Sequence, residues 1–402
     1  MKYLVVCFLT LVNVSVYCQS SLTRILSAPV NDEDYLIALK QQQYIENHKF
    51  NSPWLRELEV RMRSDDKQLN IDEYRMRLGL INPAEVLANR KYNSLIAEYN
   101  QAEKASIIND VLKLRYELLI EYHYLLSKEK LTNQLIQRRE KQQKIRIDLN
   151  PNLDKIVDLE QGILKGRLAL VELENKQDLI SKQIRQFSSL MPESEAFDQL
   201  ISPEQIILRL DTSIDESQLL AEKQLDLAVK EQLLKIDKAE AYSNIGYIQG
   251  DYDISQGDVF SDHLGFQMGV SLPIFNTDRP KLQRDELKLV DDQVKNELLL
   301  DKTKNRIYSL KDKISSAYEQ YKIVMESEIK LNKWKEMSEG LSADQGTFNE
   351  LAGFEDFVNN SKLELHVEML NLYITFMHEK SELNGSSPTN QIIDPIEKLD
   401  IK

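Results

Sequence analysis

The sequence predicts a mainly α fold with a small β part, built from two copies of one motif: a strand hairpin followed by a long antiparallel coiled-coil helical hairpin. Three observations predict it. Two helical patterns of about 63 residues carry narrow apolar stripes at spacings of three and four. Four short stretches alternate apolar and polar residues with a period of two. A G-x-x-x-P spacing, Gly79 to Pro83, recurs as Gly269 to Pro273, 190 residues further on. The composition agrees: 402 residues, 42% hydrophobic and 29% charged, have enough apolar content for packing and too few Gly (12) and Pro (10) to interrupt long helices. A net charge of −14 with no basic run argues against a nucleic-acid partner.

Residues 1–18 read as a signal peptide. Lys2 precedes an apolar segment, 3–16, of the length of a secretory core and too short to span a bilayer as a helix. Cleavage is expected near Cys18 and Gln19; the alternative is a buried N-terminal helix. Cys7 and Cys18 are the only cysteines, so a chain cut after Cys18 has no thiol for a disulfide, a metal site or catalysis. No later segment approaches 18 apolar residues, so an exported chain of this kind is either soluble or a membrane β-structure.

Residues 19–53 form an N-terminal segment with a helix near 33–48. The first hairpin occupies 54–81. In WLRELEVRMRS (54–64), Leu58, Val60 and Met62 alternate with Glu57, Glu59, Arg61 and Arg63; in NIDEYRMRLGLI (70–81), Tyr74, Met76, Leu78 and Leu80 share a face. DDKQ (65–68) is turn-like. These stretches are 11 and 12 residues long, close to the roughly 9–11 a tilted strand needs to cross a bilayer. Pro83 cannot donate to a sheet ladder but fits where a strand ends and a helix starts.

A helical hairpin follows over 82–191. Its outgoing helix carries Ile107, Val111, Leu114, Leu118, Tyr122 and Leu125, stops at the turn chemistry of 148–152, and returns over 153–191. Residues 192–215, with Pro192 and Pro203, read as an equatorial loop, and 216–243 as a further helix. The second hairpin spans 244–273. NIGYIQGDYDI (244–254) has the weakest alternation, whereas HLGFQMGVSLPIF (263–275) puts Leu264, Phe266, Met268, Val270 and Leu272 on one side and small polar residues on the other. The second helical hairpin covers 274–385, with a stripe at Ile307, Leu310, Ile314, Ala317, Tyr321 and Val324 and a turn near Asp344. NLDKIVDLEQ (152–161) resembles TFNELAGFED (347–356) in its apolar positions, as an internal duplication would produce. Residues 386–402 read as a flexible C-terminal tail.

The residues 265–290, GFQMGVSLPIFNTDRPKLQRDELKLV, and 215–250, a helix running into a strand, resemble the TolC-like outer-membrane efflux protein family. The resemblance implies a homotrimer in which each protomer gives four strands to one twelve-stranded outer-membrane β-barrel. The helices would continue it as an α-barrel into the periplasm, and a periplasmic adaptor and an inner-membrane pump would be its partners. It implies a passive conduit of a tripartite efflux or type I secretion system, gated at its periplasmic helical tips. Elementary physics also requires several copies: four strands cannot close a barrel, and an open edge in hydrocarbon leaves backbone groups unpaired. The apolar strand residues would then face lipid.

Asp148, Asn150, Asp154 and Asp344 lie near the helical tips, where rings of carboxylate in an oligomer would favour cations at an aperture; ordinary helix-end solvation is the alternative. The five histidines, His48, His123, His263, His366 and His378, make no paired metal spacing, and no nucleophile elbow or phosphate loop is present. Residues 251–262 partly mimic a calcium loop, with the Gly one place late and Asp262 in place of the final Glu. No enzyme, no cofactor and no resident metal are expected. The competing reading is a soluble periplasmic coiled-coil scaffold or adaptor.

Overall fold

The computed structural model describes residues 21–48, 53–63, 73–149, 153–210, 221–242, 245–254, 264–270, 279–340 and 345–384. The predicted signal peptide, both hairpin turns, Asn150, Leu272, Pro273, Asp344 and the C-terminal tail lie outside them. The elements are, in chain order, α1 (Ser21–Leu26), α2 (Glu33–Asn47), β1 (Leu55–Arg63), β2 (Glu73–Leu80), α3 (Pro83–Leu149), α4 (Leu153–Phe187), a 3-10 turn (Ser194–Gln199), α5 (Pro203–Arg209), α6 (Ala221–Ala241), β3 (Ile245–Asp253), β4 (Leu264–Val270), α7 (Arg279–Gly340) and α8 (Gln345–Asn384). The chain divides into two compact units. One holds the sheet and comprises Leu36–Lys104 and Leu220–Lys302; the other is helical and comprises Met1–Tyr35, Ala105–Leu219 and Thr303–Lys402.

In the sheet unit, the four strands form one antiparallel sheet in the order β1-β2-β3-β4. The two hairpins have the same register: Glu57 faces Gly79 in the first and Tyr247 faces Gly269 in the second, and each breaks its ladder just beforehand, between Leu55 and Glu57 and between Ile245 and Tyr247. Such irregularities sharpen the local twist where a strand must hand over to another element. The handover itself is capped. Asn82 Oδ1 accepts from the Ala84 amide at 3.1 Å while Pro83 opens α3, its missing N–H falling where no intrahelical partner exists. The Asn82 amide group also donates to the Ala239 carbonyl of α6 at 2.8 Å, tying both hairpins' helices together below the sheet. Ion pairs join α6 to α7, Lys230 to Asp292 at 2.8 Å and Lys281 to Asp237 at 3.0 Å.

In the helical unit, α3 runs between α4 and α8. Arg139 donates to the Gly162 carbonyl of α4 at 2.7 Å, and Arg138 donates to Asp356 of α8 at 3.0 Å. Lys362 of α8 reaches Glu328 of α7 at 2.8 Å. The lateral order is therefore α4-α3-α8-α7. Gly166 lets α3 and α4 approach closely: a Cβ there would lie 2.7 Å from Cγ1 of Ile136. The core of this unit gathers Leu22, Ile25, Ile120, Ile184, Ile201, Ile206, Met369 and Phe376, all fully buried.

Three expectations need correction. The predicted stripe on the first long helix holds only in part: Leu125 is buried, Ile107, Val111, Leu118 and Tyr122 are half-buried, Leu114 is exposed, and Ile108, Leu112, Tyr116 and Leu119 are buried beside them. A helix with neighbours on two sides buries a broad face, so a single narrow stripe does not describe it. The predicted stripe on α7 matches in its first four positions, Ile307, Leu310, Ile314 and Ala317, which are buried, while Tyr321 and Val324 are only half-buried. The return helix ends at Phe187, short of 191. The segment read as an equatorial loop over 192–215 contains the 3-10 turn and α5. Ser202 and Gln205 form a reciprocal capping box at the start of α5, with Pro203 in its first turn.

Candidate functional site

The register gives the sheet two chemically opposite faces. Rows of directly paired residues cross it on one side: Leu58, Leu78, Ile248 and Met268; then Val60, Met76, Gly250 and Phe266; then Met62, Tyr74, Tyr252 and Leu264. Every predicted apolar strand residue among the described side chains, Leu58, Val60, Met62, Tyr74, Met76, Leu78, Leu264, Phe266 and Met268, falls on this one face. Among the described residues most of it is exposed, with Phe266 at 74% and Met62 at 63%. The side chain of Val270 is outside the description.

The opposite face is polar. Its rows are Glu57, Gly79, Tyr247 and Gly269; then Glu59, Arg77, Gln249 and Gln267; then Arg61, Arg75, Asp251 and Gly265. Charges of both signs pair across strands. Arg75 Nε donates to Asp251 Oδ1 at 2.8 Å, and its Nη2 donates to Glu73 at 2.9 Å. Gln249, only 6% exposed, donates through Nε2 to Asp251 Oδ1 at 2.9 Å. Arg61 donates to Glu59. Arg77 stacks its guanidinium over the Tyr247 ring at 3.7 Å. Each such pair adds a few tenths to about 1 kcal/mol, so the network orders the polar wall more than it stabilises the fold.

The sequence expectations left out the β3 members of this wall. Tyr247, Gln249, Asp251 and Asp253 alternate with Ile248, Gly250 and Tyr252, but Gly250 and Tyr252 blur the apolar side of the pattern. Of the strand-to-helix residues, Gly79 and Gly269 both lie on the polar face opposite a larger partner, and Pro83 starts α3. At the tips, Asp148 is exposed in the last turn of α3 and Asp154 is exposed in the first turn of α4, a position where a carboxylate complements the helix dipole. Among the described residues no group of three or more His, Cys, Asp or Glu could hold a metal ion, and no helix is long and apolar enough to cross a membrane.

No family model matches the sequence, and no curated protein matches it significantly. Solved structures do match over most of their length. The outer membrane protein VceC from Vibrio cholerae aligns with a TM-score of 0.61 at 11% identity, covering 89% of this chain and 95% of that one. The chain has the fold of outer-membrane channel proteins. CusC, described in terms of transmembrane channel formation, aligns at a TM-score of 0.55 and 12% identity over 89% of this chain and 91% of its own. The CmeC outer membrane channel of Campylobacter jejuni gives 0.54 at 12% identity, over 91% and 85%. At these identities the outer-membrane channel fold is kept by patterning and register rather than by shared residues.

Proposed function

We propose that the protein is the outer-membrane channel component of a tripartite efflux or type I secretion system, a passive conduit from the periplasm to the outside. The observation that carries this reading is the sheet: an exposed apolar face, an ordered charged face behind it, and two edges, β1 and β4, that no described strand pairs. Water cannot satisfy those edges in hydrocarbon, where each unpaired backbone group costs several kcal/mol. Membrane barrels begin at about eight strands. Three copies supply twelve, with β4 of one beside β1 of the next, and the polar face then encloses water. The likeness in fold to outer-membrane channels supports the same assignment.

On this reading Leu58, Val60, Met62, Tyr74, Met76, Leu78, Leu264, Phe266, Met268, Val270 and Leu272 meet lipid. The matching hairpin registers support a duplicated ancestor. The partners are two further copies of the chain, outer-membrane lipid, a periplasmic adaptor and an inner-membrane pump that supplies the energy. The helical tips close and open the periplasmic end, with Asp148, Asn150, Asp154 and Asp344 at the aperture. No catalytic step is assigned.

Fractionation of expressing cells and light scattering of the detergent-purified protein test the assignment. The expected result is recovery in the outer membrane and a mass of three chains. A detergent-free monomer in the periplasmic fraction contradicts it.

A further inference from the structure

The row of the polar face nearest the helices holds Glu57, Gly79, Tyr247 and Gly269, so two of its four positions have no side chain. Tyr247 is the one aromatic group in it, and it is half-buried. Its ring reaches over Gly269. A Cβ at 269 would stand 2.6 Å from Cζ and 2.7 Å from Cδ1 of that ring, well inside contact distance. From above, the Arg77 guanidinium covers the ring at 3.7 Å. The same guanidinium lies 4.0 Å from Glu59 through Nη1, while its Nε is buried with no hydrogen-bond partner among the described residues, so it is held between a carboxylate and the aromatic face.

On the other side of Tyr247, Gly79 also lacks a side chain, but the exposed Glu57 side chain lies over it: a Cβ at 79 would be 2.8 Å from Cγ of Glu57. A ring pushed off Gly269 has either to displace Glu57 or to stand away from the sheet, into the space that the polar face borders.

We propose that Gly269 and Arg77 hold Tyr247 against the wall, and that this latch sets the bore at the helix end of the barrel. Gly269 is thus a positioning residue: it acts on conduction only through the Tyr247 ring. The inference rests on the channel reading, in which the polar face encloses water, and it adds the residue that fixes the width there.

Single-channel conductance of the detergent-purified full chain in planar lipid bilayers tests it. Gly269→Ala is expected to lower conductance below the wild-type level, since the displaced ring narrows the water-filled barrel. Adding Tyr247→Ala to Gly269→Ala is expected to restore conductance to the wild-type level or above. Adding Tyr247→Phe instead is expected to leave it low, because the ring remains. Should Gly269→Ala alone fail to insert, insertion and conduction by the Gly269→Ala, Tyr247→Ala double variant give the same steric result. A Gly269→Ala channel that conducts like wild type overturns the latch, as does a double variant that stays low or does not insert. A wild-type chain that opens no conductance contradicts the channel reading and the latch with it.

Discussion

Arg115 carries a charge into the core of the helical unit and satisfies it with backbone. It is buried on α3, and its guanidinium donates to the carbonyls of Leu26 and Ala28 at 2.7 Å each and of Pro29 at 3.0 Å, beside the Phe187 ring. Burial lowers its pKa to about 10, so it stays charged at neutral pH. Arg115→Met is expected to leave those carbonyls without their donor and to cost about 3 kcal/mol, most of it at residues 21–30. Hydrogen exchange at those amides would rise well before the rest of the chain melts. Two imidazoles clamp the next segment. His366 Nε2 donates to the Ile201 carbonyl at 2.9 Å, and the His123 ring packs on Phe197 at 4.9 Å. Burial lowers the pKa of both, that of His123 from 6.5 to about 4, with Asp198 opposing it. The unfolded chain therefore binds more protons below pH 6.5, and stability falls as pH drops from there toward 4. The slope is at most about 1.4 kcal/mol per pH unit for each ring. Melting temperatures between about pH 7.5 and about pH 5 should show this loss, and His123→Phe should flatten it.

At the scale of elements, close helix packing depends on Gly162 and Gly166 of α4. Gly166→Leu would drive a side chain into Ile136 and is expected to destabilise the helical unit by about 1–3 kcal/mol, read from thermal melting. The spacing GILKG was in the sequence but reads equally as an ordinary helical stretch, because which side α3 approaches is a tertiary fact. The strands were legible for a local reason: one apolar and one polar face impose a period of two on β1, β2 and β4. β3 was faint because Gly250 leaves a gap in its apolar side. The start of α5 was legible too, since S-P-E-Q is a capping box with Pro in the first turn, but two prolines nearby favoured a loop reading. The Tyr247 and Gly269 pair was not legible, because only register brings residues 22 positions apart face to face. For the tips, Asp148→Ala with Asp344→Ala is expected to reduce cation preference, measured as a shift in reversal potential; unchanged preference assigns those carboxylates to helix-end solvation alone.

For the whole molecule, one physical demand organises the rest: a sheet whose edges no described strand pairs, with an exposed apolar face, calls for lipid on that face and neighbours at its edges. The measurement that reaches this most directly is an environment-sensitive fluorophore placed in turn at positions 264 to 268 of β4 in liposomes. Leu264, Phe266 and Met268 should report hydrocarbon, and Gly265 and Gln267 should report water, alternating residue by residue. Water-like emission at all five positions, with the protein folded, would contradict the account.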